Sequence, residues 1–125
     1  MNDYEILTTG DGGIYSNIQD LFLWDQALYT NQLASIETLE KAFKPNILSN
    51  GEKKNYGYGW VLDPDNEIVF HGGNLGGYKT YIRRDLKNKR TLILLSNFTN
   101  EEGLKEIPKE IGKILNDKNY DPKLE

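Results

Sequence analysis

From Tyr56 to Ser96 the chain alternates strand-prone apolar runs with turn signals, a pattern that commits this stretch to antiparallel strands. Y-G-Y-G-W-V-L, Tyr56 to Leu62, favours a strand through its aromatics and Val61 despite two glycines. D-P-D-N, Asp63 to Asn66, supplies a turn whose proline presets the backbone angle. Glu67 to Gly73 is the return strand of that hairpin. Gly77 to Arg84 carries Tyr78, Thr80 and Ile82 in alternation, Arg90 to Ser96 is the most apolar run, and Asp85 to Lys89 joins the two.

Helical spacing flanks this block on both sides. After the turn cluster Gly10 to Gly13, Ser16 with Gln19 three positions on reads as a capping box, and Ile18, Leu21, Phe22 and Leu28 recur at helical spacing to about Tyr29. Ser35 to Phe43 fits a second short helix with Ile36, Leu39 and Phe43 on one stripe, ended by Pro45. Asn46 to Asn55 reads as a loop. Asn100 caps a closing helix with Glu101 and Glu102 in its first turn, opposite the positive end of the helix dipole. Its stripe is Leu104, Ile107, Ile111, Ile114 and Leu115, and Pro108 must kink it or mark a restart. The predicted fold class is α+β: two N-terminal helices, an antiparallel sheet of about four strands, and a C-terminal helix packed on that sheet.

At 125 residues the chain has the size of one domain, and its 38% hydrophobic and 27% charged residues place it among globular proteins. The longest apolar run, Leu92 to Leu95, is far below the roughly 20 residues that a membrane span requires. Met1 is followed by Asn2, Asp3 and Tyr4, so no signal peptide is expected, and Lys123 to Glu125 reads as a tail left by cloning. A net charge of -4 disfavours nucleic acid as a partner. The cations Lys79, Arg83, Arg84, Lys87, Lys89 and Arg90 cluster locally, but D-L-K-N-K-R has the composition of a solvated hairpin tip. With no cysteine and one histidine, thiol chemistry and a zinc site are excluded.

That histidine, His71, lies in F-H-G-G-N-L-G-G-Y between strand-like residues and four glycines. One reading makes it a strand histidine packed beside a tight turn. The other takes Gly72 and Gly73 as bare backbone that a ligand can approach, with the imidazole facing the same space. Gly76 and Gly77 suit a turn, and the spacing is not that of a dinucleotide-binding loop.

In order and spacing, G-D-G-G-I-Y-S-N-I-Q-D-L-F-L-W, Y-G-Y-G-W, H-G-G-N-L-G-G-Y and L-I-L-L-S-N before a helix resemble the C-terminal part of the serine β-lactamase-like hydrolases, which include class C β-lactamases, D,D-peptidases and related esterases. The resemblance implies that residues 1–122 are one C-terminal fragment of such a domain. It implies that His71, Gly72 and Gly73 are the His-x-Gly form of the motif on the strand bordering the catalytic cleft. There the imidazole positions the polar end of a substrate and the glycine lets substrate lie against the strand. The backbone N–H of Asn74 would be one of two oxyanion-hole donors. No cofactor is implied, because acyl-enzyme chemistry of this kind uses side chains and water.

The resemblance also implies what is missing. Its nucleophile is the serine of Ser-x-x-Lys, and none of Ser16, Ser35, Ser49 or Ser96 has a lysine three residues later. Tyr15-Ser16-Asn17 spells the family's Tyr-x-Asn, but in the segment that follows that motif in the family. No nucleophile or base is assigned, and the isolated chain is expected to be inactive. Two functions remain open. The chain is the C-terminal part of a serine hydrolase acting on a β-lactam, a D-amino-acid peptide or an ester, or it is a stand-alone binding module that uses the sheet edge and the Gly-rich loop. On the first reading its partners are a small-molecule or peptide substrate and the missing N-terminal half. Without that half, Arg90 to Ser96 presents an open edge, and self-association is expected. Tyr58, Trp60, Tyr78, Lys79 and Tyr81 either line the cleft or pack. Compartment is left open, an extracytoplasmic or membrane-associated parent being compatible with the resemblance.

Overall fold

The computed structural model describes residues 10–65, 67–98 and 101–116. The expected cap at Asn100, the start at Met1 and the tail at Lys123 to Glu125 lie outside the described residues. Two helices, α1 (Ile18–Ala27) and α2 (Ile36–Ala42), precede a two-stranded ribbon of β1 (Asn46–Ile47) and β2 (Lys53–Lys54). A four-stranded antiparallel sheet follows, made of β3 (Val61–Leu62), β4 (Ile68–Leu75), β5 (Tyr78–Asp85) and β6 (Arg90–Ser96) in that spatial order, and α3 (Glu101–Asn116) ends the described chain. The fold is α+β, as the periodicities predict.

Several local expectations shift. The cap of α1 is Asn17, one residue later than the Ser16 box: Asn17 Oδ1 accepts from Asp20 N at 2.9 Å while its Nδ2 donates to Asp20 Oδ2 at 2.8 Å. The Asn17 amide satisfies the orphan N–H through its oxygen and returns a bond to the acid three residues on through its nitrogen. Ser35 caps α2 as expected, accepting from Thr38 N at 3.2 Å. The stretch read as a loop contains the β1–β2 ribbon. The strand expected over Tyr56 to Leu62 shrinks to Val61–Leu62 plus a single bridge between Tyr56 and Val61. Between these residues the chain turns, with Gly57 N donating to Trp60 O at 2.7 Å and Gly59 at φ +76°. The two glycines decide the matter against the aromatics. In α3 the helix runs through Pro108 without a restart.

Side-chain alternation gives the sheet two faces. Leu62, Val69, Ile82 and Arg84 share one face, turned toward α1 and α2. Tyr81 and Arg83 share the other, where they line a shallow groove with Pro108, Lys109, Gly112 and Lys113 of α3. Trp60, Leu62 and Val69 form the buried core, with Leu28, Ala42, Phe43, Ile82 and Leu86 packed around it. Trp24 stacks on Trp60 with centroids 6.1 Å apart, and Phe43 meets the same indole edge-on at 5.8 Å.

The cationic cluster does not all lie in solvent. Lys87, Lys89 and Arg90 occupy the exposed hairpin tip, but Arg84 is fully buried. Alternation makes the difference, because Arg84 follows Ile82 onto the core face. There its Nε donates to Asp25 Oδ1 at 2.5 Å and its Nη2 to Asp25 O at 3.3 Å. Thr91 Oγ1 on β6 donates to the same carboxylate oxygen at 2.8 Å, and Gln26 Nε2 to Oδ2 at 2.9 Å. Asp25, not the apolar stripe, is the fully buried side chain of α1; Ile18 and Phe22 are half exposed. The guanidinium carbon lies 4.5 Å from the Tyr29 ring centroid, 5.2 Å from Phe43 and 5.8 Å from Trp60. Those ring faces partly compensate Arg84 Nη1, which has no hydrogen-bond partner among the described residues. Burial, opposed by the Arg84 charge, raises the Tyr29 hydroxyl above its ordinary value.

Removing one member of a buried pair strands the other charge, at a cost of about 3–5 kcal/mol. Arg84→Met and Asp25→Leu should each lower the urea unfolding midpoint sharply. The double variant should be more stable than either single one, and a double-mutant cycle without coupling would contradict the pairing. Asp85 gives a pH dependence. Burial raises its pKa, but hydrogen bonds from Asn88 and the charges of Arg83 and Arg90 outweigh burial, so the carboxyl stays below its ordinary value. A depressed folded-state value adds stability that is present above the unfolded value of about 3.9 and lost as pH falls through the folded one. Asp85→Asn should therefore flatten the acid limb of the stability profile.

Candidate active-site edge

The strand β4 outruns its neighbour. β3 pairs only Leu62 with Val69 and Val61 with Phe70, whereas β5 pairs with β4 all the way to Leu75 and Tyr78. Gly76 and Gly77, at φ +58° and +88°, form the two-residue turn that closes the β4–β5 hairpin. This primed geometry matches strand twist and is accessible to glycine without strain. Leu75 and Tyr78 flanking the turn are then a hydrogen-bonded pair, and alternation makes Gly73, His71 and Val69 bond to β5 as well. Leu86 N donates to Glu67 O at 2.8 Å in the same phase. The peptide groups of the intervening residues point the other way. Ile68 uses them on Asp63, its O accepting from Asp63 N at 3.0 Å and its N donating to Asp63 Oδ1 at 3.1 Å. Gly72 and Asn74 direct theirs along an edge where no described strand pairs with β4.

His71 stands on the face of the sheet that carries Val69 and the core, next to this edge, and is exposed. Its Nε2 lies 3.0 Å from the hydroxyl of Tyr56, and the two rings meet edge-on at 69° with centroids 6.0 Å apart. The structure thus brings His71, Gly72, Gly73 and Asn74 together along one open strand edge and adds Tyr56, which a strand over Tyr56 to Leu62 does not single out. The signal for it was Y-G-Y-G-W itself: two glycines fold the strand back and carry the first tyrosine toward β4.

The two motif glycines are not equivalent. A Cβ on Gly72 would make ordinary contact, 3.6 Å from Thr80 O, whereas one on Gly73 would meet Thr80 Oγ1 at 2.5 Å on the face that bears His71. Of the aromatic candidates, Trp60 is core and Tyr81 is half-buried on the opposite face, near α3. Burial raises the Tyr81 hydroxyl above its ordinary value, with Arg83 acting against it. Tyr58 and Tyr78 are exposed, and Lys79 lies on the face opposite His71. The Tyr-x-Asn look-alike is spent on local structure: Asn17 caps α1 and Tyr15 stands in solvent. Ser35 is likewise used as a cap, and Ser96 Oγ bonds the backbone of Phe98. Among the described residues no three His, Asp or Glu side chains gather into a metal-holding group. No helix among them is long and apolar enough to cross a membrane.

The Beta-lactamase family model matches residues 1–114, nearly the whole chain. The chain belongs to the beta-lactamase family. Among curated relatives, it is 46% identical over 91 residues to Penicillin-binding protein 4* of Bacillus subtilis (strain 168), covering 70% of this chain and 20% of that protein. It is 29% identical over 107 residues to the Putative penicillin-binding protein PbpX of the same organism, covering 86% of this chain and 26% of that protein. The beta-lactamase-family chain therefore spans about a quarter or less of the length of these relatives.

Gly73→Ala should lower the melting temperature, because Thr80 must leave its rotamer, an overpacking cost of about 1–3 kcal/mol. Gly72→Ala should leave the melt close to that of the parent chain. Equal effects of the two variants would contradict the packing described.

Proposed function

We propose that this chain is the C-terminal part of a serine hydrolase that works by acyl transfer on a β-lactam, a D-amino-acid peptide or an ester. In this reading His71, Gly72 and Gly73 form one wall of the active site and the Asn74 N–H is one of two donors to the oxyanion. The nucleophile comes from polypeptide outside these 125 residues, since the chain has no Ser-x-x-Lys. The observation that carries the proposal is the unpaired length of β4 beyond Phe70 with an exposed imidazole beside it.

The chemistry follows from that edge. An acyl group laid along it can accept from an outward N–H while its polar end reaches the imidazole. A donor fixed by the sheet needs no reorganisation as negative charge develops on the carbonyl oxygen, so it favours the transition state over the ground state. Because the Asn74 N–H points away from β5, Asn74→Pro removes it without breaking a ladder bond, a position where an edge tolerates proline. In the protein that carries the whole domain, this variant should lose about 10²–10³ in kcat, the usual effect of deleting one oxyanion donor. Circular dichroism would check that its fold is retained, and full activity in a folded variant would remove Asn74 from the site.

The 125-residue chain alone should not hydrolyse nitrocefin or p-nitrophenyl esters. Turnover abolished by a serine-directed acylating inhibitor would refute the assignment of the nucleophile to other polypeptide. β6 ends the sheet, with no strand beyond it among the described residues, and Leu95 at its end is partly exposed. We propose that the isolated chain self-associates through this edge. Light scattering should show more than monomer, and a clean monomer at high concentration would count against the proposal.

A further inference from the structure

We infer that Tyr56 is a positioning residue for His71: its hydroxyl donates to Nε2 and thereby fixes the imidazole proton on Nδ1, leaving an N–H donor for an oxygen from outside. The observation is the 3.0 Å contact between Tyr56 Oη and His71 Nε2. Either atom can donate in principle, and the chemistry of the two acceptors decides between them. The Nε2 lone pair of a neutral imidazole lies in the ring plane and is strongly basic. The phenol oxygen shares its lone pair with the ring and is the weaker acceptor. The matched arrangement is O–H to N, which forces the remaining imidazole proton to Nδ1. Free neutral imidazole in histidine prefers the opposite tautomer, with the proton on Nε2.

Tyr56 is held for this task from several sides. Its carbonyl accepts from Asn46 N at 3.3 Å and from Asn46 Nδ2 at 2.9 Å, and its backbone bridges to Val61. Next to it, Gly57 is pressed so close to the end of α2 that a Cβ there would lie 2.0 Å from Ala42 O, while Tyr58 N donates to that same carbonyl at 3.0 Å. The turn is thus clamped to α2, and the edge-on ring contact fixes the plane of the imidazole. A group located by its neighbours' packing and hydrogen bonds keeps its direction when a ligand arrives. His71 Nδ1 has no hydrogen-bond partner among the described residues.

The consequence deepens the proposed function and rests on it. With the proton on Nδ1, the imidazole presents a donor there in its neutral form as well as in its charged form. It can therefore hold a carboxylate or carbonyl oxygen of a ligand on the β4 edge without needing the permanent charge of a lysine. The ligand class that suits this wall carries an acceptor oxygen close to the acyl group lying along Gly72 and Asn74.

His71 is the only histidine in the chain, so one imidazole gives one set of nitrogen resonances. With ¹⁵N-histidine in the 125-residue chain, at a pH where imidazole is neutral, the Nδ1 shift should be of the protonated type and the Nε2 shift of the unprotonated type. Tyr56→Phe should reverse this pattern toward the Nε2–H form, and Tyr58→Phe should not. A wild-type chain in which Nε2 carries the proton, for whatever reason, overturns the inference, as does a Tyr56→Phe chain with an unchanged pattern. In the protein that carries the whole domain, Tyr56→Phe should raise KM for substrates bearing a carboxylate more than it lowers kcat. Full activity of His71→Ala there would overturn the active-site reading of the wall while leaving the nitrogen shifts untouched, so the two failures are distinguishable.

Discussion

The Asp25–Arg84 pair connects every layer on the helical face of the sheet. Arg84 comes from near the end of β5, Asp25 from α1, Thr91 from β6, and the rings over the guanidinium from Tyr29, Phe43 and Trp60. A charge with no access to water tolerates few geometries, so the pair fixes α1 over β5 and β6 with a directionality that apolar contact alone lacks. The fully buried apolar core is small, Trp60, Leu62 and Val69, and the ion pair sits beside it. The pair thus adds a directional contact between α1 and the sheet to the apolar burial around it.

This arrangement reaches the candidate site through Trp60. The indole packs between Trp24 and Phe43 and faces Arg84, and it ends the turn that begins at Tyr56. Holding Trp60 in the core ties down the turn, and the turn carries Tyr56 to His71. Because the chain doubles back at Gly57 and Gly59, β3 is only two residues long and stops opposite Phe70. The same two glycines therefore shorten β3, which leaves the outer edge of the far half of β4 without a partner among the described strands, and place the hydroxyl that meets the imidazole. One local feature both opens the edge and orients the side chain beside it.

Family membership supplies the wider frame. The relatives, named as a penicillin-binding protein and a putative one, are several times longer than the match, and α1 leaves Phe22 at 51% and Leu23 at 65% exposure. Among the described residues, β6 forms one edge of the sheet, and the half of β4 beyond Phe70 lies open toward the other.

The strands and helices were legible in the sequence because their periods are local: β6 falls on Arg90–Ser96 as read, and α2 lies inside its expected bounds under Ser35. That His71 stands beside bare glycine backbone was legible too, since it is written in the residues. Composition could not reveal that Arg84 leaves its cationic neighbours for the core, because burial of a charge depends on a partner 59 positions away. Nor could it show that Y-G-Y-G-W bends when its aromatics favour a strand; the close approach of Gly57 to the end of α2 decides that. The sequence by itself determined the three helices and the strands β4 to β6, because hydrophobic period and turn chemistry act over a few neighbours. Only the tertiary structure decided which strand edge stays open and which hydroxyl meets the imidazole, because both depend on where distant segments stop and what they pack against.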